Sequence, residues 1–220
     1  MNNLKLLGLT AGVGSLILAG TASADFTGFS YENLGNNGNG TTYHVYANVD
    51  AGGQVNAVYG DGDNTLSISS DSGFYQNSFG GATVAGMNAS FFPLAPSLEW
   101  DSFVTLGLVT NTGNQMLDIG IDFSAFEAGG NISTDNGSWF GTPDHAQVYE
   151  VGGQVLIGQF TVATGEGVYG TINLQGKHGD FEIGEDPNWQ YTDVSFNTMP
   201  APGALALLGL AGIAVRRRRK

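Results

Sequence analysis

Asp61-Gly62-Asp63-Asn64 sets two carboxylates and an amide on one tight loop. These are the hard oxygen donors that Ca²⁺ takes. The loop lacks the spacing and the distal Glu of an EF-hand, so a solvated turn is the competing reading. A second acidic patch holds Asp180, Glu182, Glu185 and Asp186. Trp100, Trp139 and Trp189, with Tyr149 and Tyr169, offer flat apolar faces for sugar stacking, against the alternative of core packing. Trp139 sits among polar residues and is the one expected to be exposed. The three histidines, His44, His145 and His178, show no zinc-ligand spacing, and no Gly-x-Ser-x-Gly elbow is present. His44 is expected on the solvated face of a strand. Glycoside hydrolysis needs two carboxylates at a set separation. With 20 acids in the chain, some pair always looks suitable, so the count decides nothing.

The elements that must position these groups are strands. Tyr43, Val45, Ala47 and Val49 alternate with His44, Tyr46, Asn48 and Asp50, and the alternation resumes at Val55, Ala57 and Tyr59. A period of two with one apolar face predicts a β-hairpin. Leu66 and Ile68 mark a further strand, and Phe74 to Phe79 a short aromatic one. Ser97 to Thr110 is apolar on both sides and predicts a long central strand. Leu117, Ile119, Ile121 and Phe123 predict another, and Ser124 to Ala128 a single helical turn. Gly129 to Pro143 reads as a loop rich in Gly, Asn and Ser. Strands over Val155 to Val162, Val168 to Leu174 and Trp189 to Phe196 complete the pattern. About nine to eleven short strands with Gly/Asn/Asp turns predict an all-β fold: a two-sheet antiparallel sandwich of the jelly-roll or immunoglobulin-like kind.

Charge narrows the partners. All 20 acidic residues fall between Asp25 and Met199, where Lys177 is the only Lys or Arg, giving a net charge of −19. Such a domain repels nucleic acid and anionic headgroups and attracts divalent cations. The chain has no cysteine, which excludes disulfides, thiolate catalysis and iron–sulfur sites. Stability is left to the core or to bound metal, with Ca²⁺ the candidate ion and no other cofactor expected.

The termini carry a different message. Lys5, an apolar stretch from Leu6 to Ala19 and Ala22-Ser23-Ala24 have the layout of a secretory signal peptide over residues 1–24, cut before Asp25 by signal peptidase. Residues 25–199 form the β-sandwich domain. Residues 200–220 comprise Pro200-Ala201-Pro202, an apolar helix over 204–215, and the basic end Arg216, Arg217, Arg218, Arg219 and Lys220. The prolines keep a helix from running back into the domain, and the basic end stays cytoplasmic. Twelve helical residues span roughly 18 Å against about 30 Å of hydrocarbon, which suits a transient stop better than a permanent anchor. This tripartite tail resembles the PEP-CTERM sorting signal of Gram-negative bacteria, with Ala201 where the name-giving Glu stands. The segment from Tyr43 to Gly176, including Glu99-Trp100-Asp101-Ser102 and Asp135-Asn136-Gly137-Ser138-Trp139, is similar to domains in exported bacterial surface proteins with such tails. The resemblance implies sorting by an exosortase-like enzyme to the cell surface, outer membrane or extracellular matrix. Contact with the membrane would then be through the termini alone, with no enzymatic activity and no nucleic-acid partner. Two other functions are open: a Ca²⁺-dependent carbohydrate-binding module that contacts polysaccharide, and a glycan-degrading enzyme.

Overall fold

The computed structural model describes residues 26–179 and 184–199. The signal peptide, the sorting motif Pro200-Ala201-Pro202, the apolar helix and the basic end therefore lie outside the described residues, as do Asp180 and Glu182. Among the described residues, no helix is long and apolar enough to cross a membrane.

Among the described residues, eleven strands form two antiparallel sheets. The first sheet has four strands in the order β1 (Phe26–Asn36), β2 (Thr41–Val49), β9 (Gln154–Val162) and β5 (Phe103–Val104). In the second, β10 (Tyr169–Lys177) is the hub. One of its edges pairs with β11 (Asn188–Asn197). Its other edge pairs with two strands end to end: β3 (Gln54–Gly60) opposite Asn173 to Lys177, and β4 (Leu66–Ser69) opposite Tyr169 to Thr171. Beyond β3 lie β8 (Gly137–Phe140) and β6 (Leu117–Ile119), and beyond β4 lies β7 (Ile132–Thr134). The expected all-β, two-sheet antiparallel class is thus observed. Val45, Ala47, Val49, Val155 and Phe160 of the first sheet and Val58, Leu66, Ile68, Ile172 and Leu174 of the second are buried in one core. At roughly 1.5–3 kcal/mol per large apolar side chain, this core carries most of the stability of a cysteine-free chain.

Several local expectations need correction. Strands β2 and β3 follow one another but belong to different sheets, so they form an arch and not a hairpin. The turn between them has Gly52 at φ +76° and closes with Gly53 N–H donating to the Asp50 carbonyl at 2.8 Å. A register irregularity opposite Gln175/Gly176 then shifts the phase of β3. Val55 and Val58 are buried, while Ala57 and Tyr59 are only half-buried. Phe74 to Phe79 is not a strand: Phe74 packs on Phe126 and Phe160 at centroid distances of 5.3 and 5.4 Å, and Phe79 points outward. The Gly129–Pro143 loop contains the whole of β7 and β8. Leu117 and Ile119, expected inside, are exposed on the edge strand β6.

The largest correction concerns Ser97 to Thr110. Residues 101–106 are buried throughout, yet only Phe103 and Val104 pair in a ladder. Pro96–Trp100 is a 3₁₀ helix. Side chains replace the missing ladder bonds. Gln159 donates to the carbonyls of Glu99 and Asp101 at 2.9 and 2.8 Å, Thr161 N–H donates to Ser102 Oγ at 2.9 Å, and Thr105 Oγ1 donates to the Leu108 carbonyl at 2.7 Å. A buried backbone must find partners somewhere, and here polar side chains supply some of them, beside the bonds from Val104, Thr105 and Gly107 N–H to the Ala82, Ile157 and Leu156 carbonyls. The helical turn is present as α1 (Ser124–Glu127), and the strands expected near 155–162, 168–174 and 189–196 are β9, β10 and β11.

Candidate functional site

Trp139 is fully buried in β8, with its indole N–H donating to the Thr105 carbonyl at 3.2 Å. It is therefore unavailable for sugar stacking. Thr105, whose carbonyl its indole reaches, lies far away in sequence, so its polar neighbours Gly137 and Ser138 give no sign of the burial. Trp189 is also buried, against Phe26 and Tyr191, and Trp100 is half-buried. Tyr169 is exposed and donates to Asp71 at 3.2 Å.

The Asp61–Asn64 loop is closed on itself. Asp61 Oδ1 accepts from the backbone N–H groups of Asp63 and Asn64 at 3.0 and 2.7 Å and from the Asn64 side chain at 3.1 Å. These donors hold the Asp61 carboxyl below its ordinary range. A cation would have to take the second carboxylate oxygen, with Asp63 beside it. Among the described residues, no three His, Asp or Glu side chains gather as a metal-holding group.

The same device recurs across the molecule. Glu150 accepts from Gly52 and Gly153 N–H at 3.0 and 2.6 Å, strapping the β2–β3 arch to the start of β9. Glu166 accepts from Ser70 Oγ and Ser72 N–H, both at 3.0 Å, and from Ser72 Oγ at 2.5 Å. Asp122 accepts from Ser124 N–H, and Asp186 from Asn188 N–H. In each case hydrogen bonds to the charged form hold the carboxyl below its usual range. Asp144 stands at φ +67°, accepts from Gln54 Nε2 at 2.9 Å and pairs with Lys177 at 2.8 Å. The acidic residues thus pin loops in a chain that has no disulfide.

The richest polar constellation lies on the outer face of the four-stranded sheet, and sequence reasoning did not assemble it. In β2 the odd positions Tyr43 to Val49 enter the core, which turns His44, Tyr46 and Asn48 outward. The registers bring Glu32 of β1 and Gln159 of β9 alongside His44, and Ser30 alongside Tyr46. Gln159 spends its amide N–H groups on the Glu99 and Asp101 carbonyls, so its Oε1 accepts from His44 Nε2–H at 2.7 Å. Burial pushes the His44 imidazole below its ordinary pKa, which leaves Nδ1 bare to accept from the Tyr46 hydroxyl at 3.2 Å. Tyr46 Oη lies 3.5 Å from Glu32 Oε2. Beside this relay, Ser30 donates to Asn48 Oδ1 at 2.7 Å, and Gln154 donates to Ser30 Oγ at 2.6 Å. His44 is therefore an ordered member of a network rather than a freely solvated imidazole. The pattern of alternating polar residues in β2 was the available signal. The partners on β1 and β9 required the register.

Residues 26–179 and 184–199 define the chain as an all-β, two-sheet protein with carboxylate-pinned loops and one polar, hydrogen-bonded sheet face. No family model, curated protein or solved structure matches it.

Proposed function

We propose that this chain is an exported, non-enzymatic structural protein of the cell surface, outer membrane or extracellular matrix, delivered by signal peptidase and an exosortase-like sorting enzyme. The observation that carries the reading is the pairing of the leader ending at Ala24 with the tail Pro200-Ala201-Pro202, apolar run and Arg216–Lys220, around a domain of net charge −19. The carboxylate-pinned two-sheet scaffold supports it, because loops fixed by their own side chains suit a protein that must persist outside the cell without disulfides. The finer fold class, jelly-roll or immunoglobulin-like, belongs to the same proposal. Removing residues 200–220 tests it: the truncated protein should be released into the medium, with the melting temperature of the full chain. Retention on the cell, or a steep fall in the melt, overturns the reading.

The outer face of the four-stranded sheet favours a second reading, carbohydrate binding. Amides, hydroxyls and one carboxylate, arrayed beside the Tyr46 and His44 rings, match the donor and acceptor demands of sugar hydroxyls. Glycan-array binding lost on Tyr46→Ala would establish it. Repeating the array with EDTA, and with Asp61→Asn/Asp63→Asn, separates a Ca²⁺-dependent module from a metal-free one.

A further inference from the structure

The hydrogen-bond chain on the outer face of the four-stranded sheet is one proton short. Its geometry fixes where each hydrogen sits. Gln159 is buried, and its Nε2 hydrogens go to the Glu99 and Asp101 carbonyls. Its Oε1 therefore meets His44 Nε2 as an acceptor at 2.7 Å, and the imidazole hydrogen stands on Nε2. That leaves two acceptors around the Tyr46 hydroxyl. His44 Nδ1 lies 3.2 Å from Oη, and Glu32 Oε2 lies 3.5 Å from it. A hydroxyl has a single hydrogen and cannot serve both. The shorter contact, to Nδ1, takes it, and Oη then meets the Glu32 carboxylate with no hydrogen between them.

The elements around His44 set its charge. β1 brings Glu32, whose charge favours the imidazolium, and β2 brings Tyr46. β9 brings Gln159, which is uncharged. The segment 99–101 holds Glu99 and Asp101, but both reach the site through backbone carbonyls on Gln159. The Asp101 carboxylate is turned to the Asn77 and Gly81 N–H groups, and Glu99 is exposed. Burial opposes protonation and holds the imidazole below its ordinary pKa.

We infer that the Glu32–Tyr46–His44 relay is a pH-sensitive switch, in which a proton taken up at His44 Nδ1 reverses the Tyr46 hydroxyl and closes its bond to Glu32. The protons balance. One comes from water to Nδ1, which then donates to Tyr46 Oη. The hydroxyl hydrogen turns to Glu32 Oε2, and Nε2–H stays on Gln159. Both contacts become charge-assisted hydrogen bonds. The switch sets what the face offers a ligand. Open, Glu32 Oε2 is there to accept from a ligand hydroxyl; closed, Tyr46 takes it. This holds whether the face binds glycan or not.

Nitrogen and carbon NMR of the full chain across pH 4–8 tests it. At pH 8 His44 should be the Nε2–H tautomer. As pH falls, Nδ1 should gain its hydrogen with a midpoint below 6.5, and the Tyr46 Cζ resonance should move with the same midpoint. Tyr46→Phe removes one hydrogen bond from the neutral state and two from the charged one, so its His44 midpoint should shift to lower pH. Glu32→Gln removes the charge at the end of the relay and should also lower it. Both side chains lie on the outer face, so these substitutions leave the core intact. Combining them separates a relay from attraction through space. In the Tyr46→Phe background the shift caused by Glu32→Gln should shrink to about half or less, because the hydroxyl that links the two groups is gone. A shift equally large in both backgrounds overturns the switch. So does an Nδ1–H tautomer at pH 8, a His44 that stays neutral down to pH 4, or protonation of His44 without a response at Tyr46.

Discussion

Two sets of carboxylates do the same job in opposite surroundings. Asp101 accepts from Asn77 N–H at 2.7 Å and Gly81 N–H at 3.2 Å and so ties residues 77–81 to the segment that enters β5. Glu166 accepts from Ser70 and Ser72 and ties the end of β4 to the turn before β10. Glu166 is only half-buried, and its hydrogen bonds hold its carboxyl low. Asp101 is buried, and desolvation outweighs its hydrogen bonds, with Glu127 adding a smaller push, so its pKa rises to about 6. The comparison shows that equal hydrogen bonding does not mean equal energetics. Where water is excluded, losing the acceptor leaves N–H groups unpaired; where water is present, it replaces the acceptor.

The largest effect is expected at Gly80. A Cβ there would lie 1.7 Å from Asp101 Oδ2 and 3.1 Å from Leu98 Cδ1. Gly80→Ala should therefore expel the carboxylate from its site. Asp101→Ala removes it outright and strands the Asn77 and Gly81 N–H groups. Each substitution should destabilise the fold by about 2–4 kcal/mol, measured by urea unfolding. Because both act on one contact, the double variant should lose much less than the sum. Full additivity would mean that Gly80 is constrained by something other than Asp101.

The pH dependence of stability comes next, and the two sets have opposite signs. Asp101 has a folded pKa raised above the unfolded value of about 3.9. Its contribution is fully present below that unfolded value and is lost as pH rises through about 6. The exposed or half-buried clips Asp61, Asp122, Glu166 and Asp186 have lowered folded values. Their contribution is present above the unfolded pKa, about 4, and is lost as pH falls through the folded values. Stability should thus decline on both sides of a mildly acidic optimum. In Asp101→Asn, part of the decline between about pH 4 and 6 should vanish, while the acid limb stays. Thermal melts across pH 3–8 check this. An Asp101→Asn profile parallel to the wild type would mean that Asp101 does not titrate in that window.

The same contrast explains what was legible in the sequence. The strands β2, β9, β10 and β11 lie in regular ladders, where burial follows a period of two, and their residues announce it. The excursion from Ser72 to Asn111 does not obey that rule. Its backbone is held in part by Asp101, Ser102, Thr105 and Gln159 side chains and in part by scattered backbone bonds, so an apolar run such as Phe103 to Leu106 looks like a strand without being a long one. β1 is hard to read from sequence for a related reason. Gly28 and Gly35, at φ +126° and +89°, sit at its two register shifts and interrupt the alternation. For the site, the outward residues His44, Tyr46 and Asn48 were readable from β2 alone. Glu32, Ser30, Gln154 and Gln159 join them through register, which short-range pattern does not encode. The arch between β2 and β3 was hidden likewise, since a two-residue period is the same whether the next strand pairs or crosses to the other sheet.

Glu166 should give the smallest effect and the cleanest contrast with Asp101. Gln at this position keeps one carbonyl oxygen, which can accept from Ser70 Oγ and Ser72 N–H together as Oε2 does, while its amide can donate to Ser72 Oγ, so the clip is weakened and not lost. Removing one of 20 acids from a domain of charge −19 also relieves repulsion slightly, which offsets part of the lost bonding. Glu166→Gln should therefore shift the melting temperature by less than about 2 °C. Locally the effect should be visible: the Ser72 amide should exchange its hydrogen faster, because its acceptor is weakened, while amides of β9 and β10 should be unaffected. A melt lowered as far as that of Asp101→Ala would show that the Ser70–Ser72 clip is cooperative with the core, and that exposure is not what separates the two carboxylates.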